Sequence, residues 1–138
     1  MSERMLNILL VEDDQVDVMN VRRAFDKNRI LNPLHVATDG IEALEMLRGG
    51  NIPADRRIVL LDLNMPRMNG IEFLRELRSD PHLRPTPVVV LTTSNDERDR
   101  IEAYNLNVAG YLLKPVTFVN FVELMATLNK YWSLVELP

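Results

Sequence analysis

Five side chains of this sequence could do chemistry together if the fold brought them to one place. They are Glu12 and Asp13, then Asp62, then Thr92, then Lys114. Three carboxylates in one cleft repel and raise one another's pKa, so such a cluster is tolerable when a hard divalent cation neutralises it. An all-oxygen donor set with room for water favours Mg²⁺, with Mn²⁺ as an alternative, over zinc. Lys114 adds a compact positive charge that can pair with Asp62 at rest and with phosphoryl oxygens later. Thr92 adds a hydroxyl donor. A carboxylate beside a divalent cation and a lysine has what nucleophilic attack on phosphorus requires: in-line approach, with charge on the equatorial oxygens absorbed by the cations. Taken singly, each residue is ordinary. A carboxylate after a strand is usually a helix N-cap or a solvated loop group, and Lys-Pro is common turn punctuation.

The elements that must position these groups are legible from hydrophobic pattern. Continuous apolar runs at Asn7–Val11, Arg57–Leu61, Pro87–Leu91 and Ala109–Leu113 read as parallel strands buried on both faces, and the mixed run Leu34–Ala37 reads as an edge strand. Helical spacing lies between them. Gln15–Asn28 offers Val16, Met19, Ala24 and Phe25 to one side; Ile41, Leu44 and Leu47 line a second helix, ended by Gly49–Gly50. Ile71, Leu74 and Leu77 line a third, opened by Asn69–Gly70. A charged fourth helix, 96–104, keeps Ile101 and Tyr104 as apolar contacts. The fifth, from Thr117 as N-cap to about Tyr131, carries Phe118, Phe121, Val122, Met125, Leu128 and Trp132. Strand and helix alternating five times imply an α/β fold, a doubly wound five-stranded parallel sheet of flavodoxin-like order 2-1-3-4-5. In that fold, ligands sit beyond the carboxyl ends of the strands. Glu12, Asp62, Thr92 and Lys114 each follow or close a strand. Four polar strand ends converging in one cleft is what sets the acidic cluster apart from its bland reading.

Composition narrows the function. The 138 residues suit one domain spanning 1–138, with a core of about 6–131 and a C-terminal tail of 132–138. With no cysteine, disulfides, thiolate metal sites and cysteine nucleophiles are excluded. Twenty acidic against sixteen basic residues, net −4, argue against a nucleic-acid face. No apolar run approaches the roughly 20 residues a bilayer crossing needs, and Met1–Met5 lack a leader signature. A soluble, cytoplasmic protein that touches neither nucleic acid nor membrane is expected. His35 and His82 share no metal-ligand spacing and read as structural or solvated, and the methionines as fillers of core gaps.

The segments LLVEDD, LLDLNMPRMNG, VVVLTTS and GYLLKP together resemble the receiver domains of two-component response regulators, over nearly the whole chain. That resemblance implies Asp62 as phosphoacceptor for a histidine kinase. It implies Asp13 as direct metal ligand, Glu12 acting largely through water, and the main-chain carbonyl of Asn64 in the metal shell. Thr92 and Lys114 would meet the phosphoryl group, across a cis Lys114–Pro115 bond. Tyr111 stands where the family carries its switch aromatic, which turns as Thr92 is drawn to the phosphoryl group; read on its own it is a half-buried aromatic of an edge strand. The extended connections GGNIPADRR and SDPHLRPTP, with the tail, are similar to those of stand-alone receivers that partner phytochrome histidine kinases. Such a protein is not an enzyme with an external substrate; it assists its own phosphorylation and dephosphorylation.

Rival readings fail on single residues. A phosphatase of the haloacid dehalogenase kind needs an aspartate two positions after the nucleophile, where Asn64 stands, and usually a cap domain. A pseudo-receiver would have lost the acidic cluster or the lysine, and a transcription factor would need a DNA-binding domain after helix five. The tail residues Trp132, Leu134, Val135 and Leu137 raise a further expectation: an apolar patch joining the fourth helix, the fifth strand and the fifth helix into a homodimer surface, unless the tail folds back on its own domain.

Overall fold

The computed structural model describes residues 5–138; the expectation drawn from Met1–Met5 falls mostly on residues 1–4, which lie outside the described residues. The elements run β1 (Asn7–Val11), α1 (Gln15–Lys27), β2 (Leu34–Ala37), α2 (Gly40–Arg48), β3 (Arg57–Leu61), α3 (Gly70–Ser79), β4 (Val88–Thr92), α4 (Glu97–Asn105), β5 (Gly110–Leu113) and α5 (Phe118–Leu134). All neighbouring strands pair parallel, in the order β2-β1-β3-β4-β5, as the sequence pattern implies.

The three central strands are buried almost without break, and period two sends their side chains to two separate cores. Ile8, Leu10, Ile58, Leu60, Val89 and Leu91 face α1 and α5. Leu9, Val11, Val59, Leu61, Val88 and Val90 face α2, α3 and α4. Each helix begins on a side chain that satisfies its free N–H groups. Asp14 caps α1, Asp39 caps α2, Asp96 caps α4 and Thr117 caps α5, while Asn69 and Glu72 form a reciprocal capping box on α3. Asp14, third of the acidic run, is thereby committed to structure rather than to the cleft.

Three helix faces differ from those expected. On α1 the buried residues are Val18, Val21, Ala24 and Phe25, whereas Val16 and Met19 are exposed. The set 18, 21, 25 continues the stripe through Phe25, and Val16 and Met19 lie on other sides of the helix. On α2, Ala43 joins Leu44 and Leu47 inside, and Ile41 sits at the surface. On α4 only Ala103 is buried, and Ile101 and Tyr104 point to solvent.

The chain's end differs too. Helix α5 continues past Tyr131 to Leu134, and Trp132 is buried at 2% exposure. Its ring stands tilted against Phe25, centroids 6.2 Å apart, and its Nε1 donates to Asn129 Oδ1 at 2.9 Å. Leu137 packs on the same core, and the Pro138 carbonyl accepts from the Arg56 N–H at 2.8 Å. The tail folds back on its own domain. Of the apolar tail residues Leu134 is exposed, and Val135 is half-buried.

Candidate functional site

Register aligns the strand ends. Val11 pairs with Leu61, and Leu61 with Val90, so the residues following β1 and β3 emerge side by side next to the end of β4. Glu12 and Asp62 are both buried, at 2% and 5%, and Thr92 completely so. Asp13, by contrast, is exposed. One carboxylate oxygen from each of Glu12, Asp13 and Asp62 falls within 4.8 Å of the others. Backbone shape supports this closeness. A Cβ on Gly70 would lie 2.7 Å from the Asp62 carbonyl oxygen and from Leu63 Cα, so the start of α3 can seat against the Asp62 backbone only as glycine.

Each oxygen of Asp62 has a partner. The Thr92 hydroxyl donates to Oδ1 at 2.8 Å, and the Asn64 N–H donates to the same oxygen at 3.3 Å. The Lys114 ammonium reaches Oδ2 at 3.4 Å. It lies nearer to Glu12 Oε1, at 2.5 Å, and to Asp17 Oδ2, at 2.7 Å. The Lys114–Pro115 bond is trans, since no described peptide bond is cis. Trans is the lower-energy form for X-Pro by about 0.5–1 kcal/mol, and with it the lysine still enters the site.

Charge is unbalanced here: three carboxylates and the nearby Asp17 surround one ammonium. Burial and the neighbouring Asp62 push Glu12 up to about 7, against the pull of Lys114. Burial would lower Lys114, but its bonds to Asp17 and Glu12 outweigh that and raise it, so it stays protonated. An excess of buried negative charge over an all-oxygen donor set fits a divalent cation.

Tyr111 is half-buried; its hydroxyl donates to the Ser94 carbonyl at 2.9 Å. Ser94 in turn holds Asp99 through its Oγ at 2.7 Å and gives its N–H to Thr92 Oγ1 at 3.2 Å. A hydrogen-bonded path thus runs from Asp62 through Thr92 and Ser94 to Tyr111 and α4. Sequence reasoning named its ends and missed Ser94 and Asp99. It also missed Asp17, whose signal was its place on the first turn of α1, two turns before Phe25 and next to the β1 end.

A second missed pair braces the loop after Asp62. Arg67, in the left-handed region at φ 60°, bonds the buried Asp39 through Nε at 2.7 Å and through Nη2. The N–H of Gly40 donates to the Met68 carbonyl at 3.2 Å. Burial alone would raise Asp39, but the Glu42 N–H and the Arg67 guanidinium hold it below the usual carboxylate range. Its stabilising effect is therefore present above the ordinary carboxylate pKa and lost as pH falls through its lowered value. Asp39→Asn, which keeps a good N-cap, should flatten the wild-type loss of stability as pH falls below the ordinary carboxylate range in urea titrations; an unchanged acid limb would disprove the assignment.

The chain belongs to the response regulator receiver domain family, whose model matches residues 8–126. Among curated relatives, it is 38% identical over 130 residues to a probable methanogenesis regulatory protein, FilR2, of Methanothrix harundinacea, covering 91% of this chain and 82% of that one. It is 36% identical over 136 residues to the response regulator Rcp1 of Synechocystis, covering 95% and 92%. A solved Mn²⁺-bound form of response regulator Rcp1 superposes with TM-score 0.85 at 36% identity, over 96% of this chain and 99% of that one. The phosphorylated cyanobacterial phytochrome response regulator RcpA superposes with TM-score 0.87 at 34% identity, over 98% and 99%. Among the described residues no helix is long and apolar enough to cross a membrane.

Proposed function

We propose that this chain is a single-domain response regulator, 1–138, that accepts a phosphoryl group on Asp62 from a histidine kinase and signals by protein contact. The carrying observation is the set of groups around one buried carboxylate: Thr92 at 2.8 Å, Lys114 at 3.4 Å, and oxygens of Glu12 and Asp13 within 4.8 Å. An Asp62 oxygen attacks phosphorus, the N–P bond of the phosphohistidine breaks with its electron pair going to nitrogen, and the imidazole, already protonated on its other ring nitrogen, leaves neutral. Glu12, Asp13, Asp62 and the main-chain carbonyl of Asn64 would hold Mg²⁺, or Mn²⁺ as in the Rcp1 structure. That cation would neutralise charge on the phosphoryl oxygens. Thr92 and Lys114 then hold the oxygens of the acyl phosphate. The same groups admit water for its hydrolysis, so the protein assists both steps without an external substrate.

Thr92 and Tyr111 are the switch pair. Drawing the Thr92 hydroxyl onto a phosphoryl oxygen loosens its hold on the Ser94 N–H, and with it the loop that the Tyr111 hydroxyl grips. The likeness to Rcp1 and RcpA supports a phytochrome kinase as donor, and a cytoplasmic setting with it. A homodimer through α4, β5 and α5 is supported by exposed Ile101, Tyr104, Leu113 and Leu134 on those elements. Sedimentation should give the mass of two chains, falling to one in Ile101→Asp; a single-chain mass for the wild type would remove the dimer.

The central test uses acetyl phosphate and intact mass spectrometry. The wild type with Mg²⁺ should gain one phosphoryl group, and Asp62→Asn, or wild type in chelator, should gain none. A wild type without adduct, when rapid quenching excludes prompt hydrolysis, would leave the chain a binding module of receiver fold.

A further inference from the structure

We propose that Asp17 is a resting-state anchor for Lys114, a positioning residue that holds the ammonium back from Asp62 until phosphorylation draws it across. The inference rests on the reading of Asp62 as phosphoacceptor. An ammonium has three N–H donors. In this structure they go to Glu12 at 2.5 Å, Asp17 at 2.7 Å and Asp62 at 3.4 Å. The phosphoacceptor thus has the longest of the three bonds. To meet a phosphoryl group on Asp62, Lys114 must shift toward that side and lengthen one of its shorter bonds.

Solvent decides which bond yields. The Glu12 side chain is 3% exposed, so an N–H lost there has no water to replace it; the Asp17 side chain is 27% exposed and is. Asp17 also stands outside the trio of clustered carboxylates. It is placed by the first turn of α1, where Asp14 Oδ1 accepts its N–H at 3.3 Å, so its position is fixed by the helix cap and not by the acidic cleft. Asp17 therefore competes with the phosphoryl group for one cation. Its removal favours the phosphorylated arrangement over the resting one.

The test measures the rate of adduct formation from acetyl phosphate at saturating Mg²⁺, and the affinity for beryllofluoride, an unreactive phosphoryl mimic. A partly exposed pair is worth a modest amount, so Asp17→Asn should raise both by about threefold, with Asp17→Glu close to wild type. Asp14→Asn removes an equal charge nearby while keeping the helix cap, and should change neither by more than about 1.5-fold. In a Lys114→Met background, Asp17→Asn should lose its effect. Beryllofluoride affinities of wild type, Asp17→Asn and Asp14→Asn decide the matter even where Lys114→Met is too unstable to assay. Equal gains from Asp14→Asn, an effect that persists without Lys114, or no gain in Asp17→Asn would each overturn the anchor. A wild type that takes no phosphoryl group would instead overturn the reading of Asp62.

Discussion

Lys114→Met should lower the unfolding free energy by about 3 kcal/mol at pH 8 in the absence of divalent cations. The lysine side chain is 8% exposed and faces Glu12, Asp17 and Asp62. Methionine fills a similar volume, so the loss is electrostatic: buried carboxylates are left without their cation. Its pH dependence follows from Glu12. A carboxyl pushed up to about 7 contributes stability that is fully present below its unfolded pKa and is lost as pH rises through 7. The deficit of the variant should therefore be larger at pH 8 than at pH 5.5. Mg²⁺ should recover part of it, because a ligand that binds only the folded chain stabilises by mass action. Urea titrations at the two pH values, with and without Mg²⁺, measure all of this. A loss below about 1 kcal/mol at pH 8 would mean that water already screens the cluster.

Trp132→Ala should cost about 3–5 kcal/mol, a large fraction of the 5–15 kcal/mol that holds a domain together. The ring is 2% exposed, lies against Phe25 and is tied to Asn129. Trp132→Phe, which keeps an aromatic contact and loses the indole N–H, should cost less than half as much. Circular dichroism must follow the unfolding, since Trp132 is the chain's one tryptophan. Loss of under about 1 kcal/mol would return the residue to a solvent-facing tail, the alternative to its folding back on the domain.

Strand identities and topology were legible because the central strands are apolar on both faces, which few arrangements besides a covered parallel sheet satisfy. The convergence of Glu12, Asp13, Asp62, Thr92 and Lys114 followed from that topology, since strand ends on one edge are neighbours by construction. Helix faces were less legible. Helix α1 carries Val16, Val18, Met19 and Val21, and a stripe can be drawn through either pair until packing chooses. Trp132 looked surplus because the apolar positions of α5 before it already made a full stripe; the space beside Phe25 that admits it depends on α1. Asp17 and the Asp39–Arg67 brace were illegible for another reason. Each joins residues far apart in sequence, and charged residues at such positions are usually solvated.

Helix α4 buries only Ala103, and its first turn is linked to the β4 end by the Ser94–Asp99 bond. At about 0.8 kcal/mol per buried CH₂, so small an anchor gives this helix a soft restoring force compared with the Leu- and Phe-anchored α3 across from it. Displacing α4 by part of a turn sacrifices little apolar burial, while the same movement of α3 would open the core. The fold thus concentrates its mechanical compliance in one element. That element adjoins Thr92, Ser94 and Tyr111, so a disturbance of one hydroxyl at the acidic cleft meets the least resistance along the route to α4.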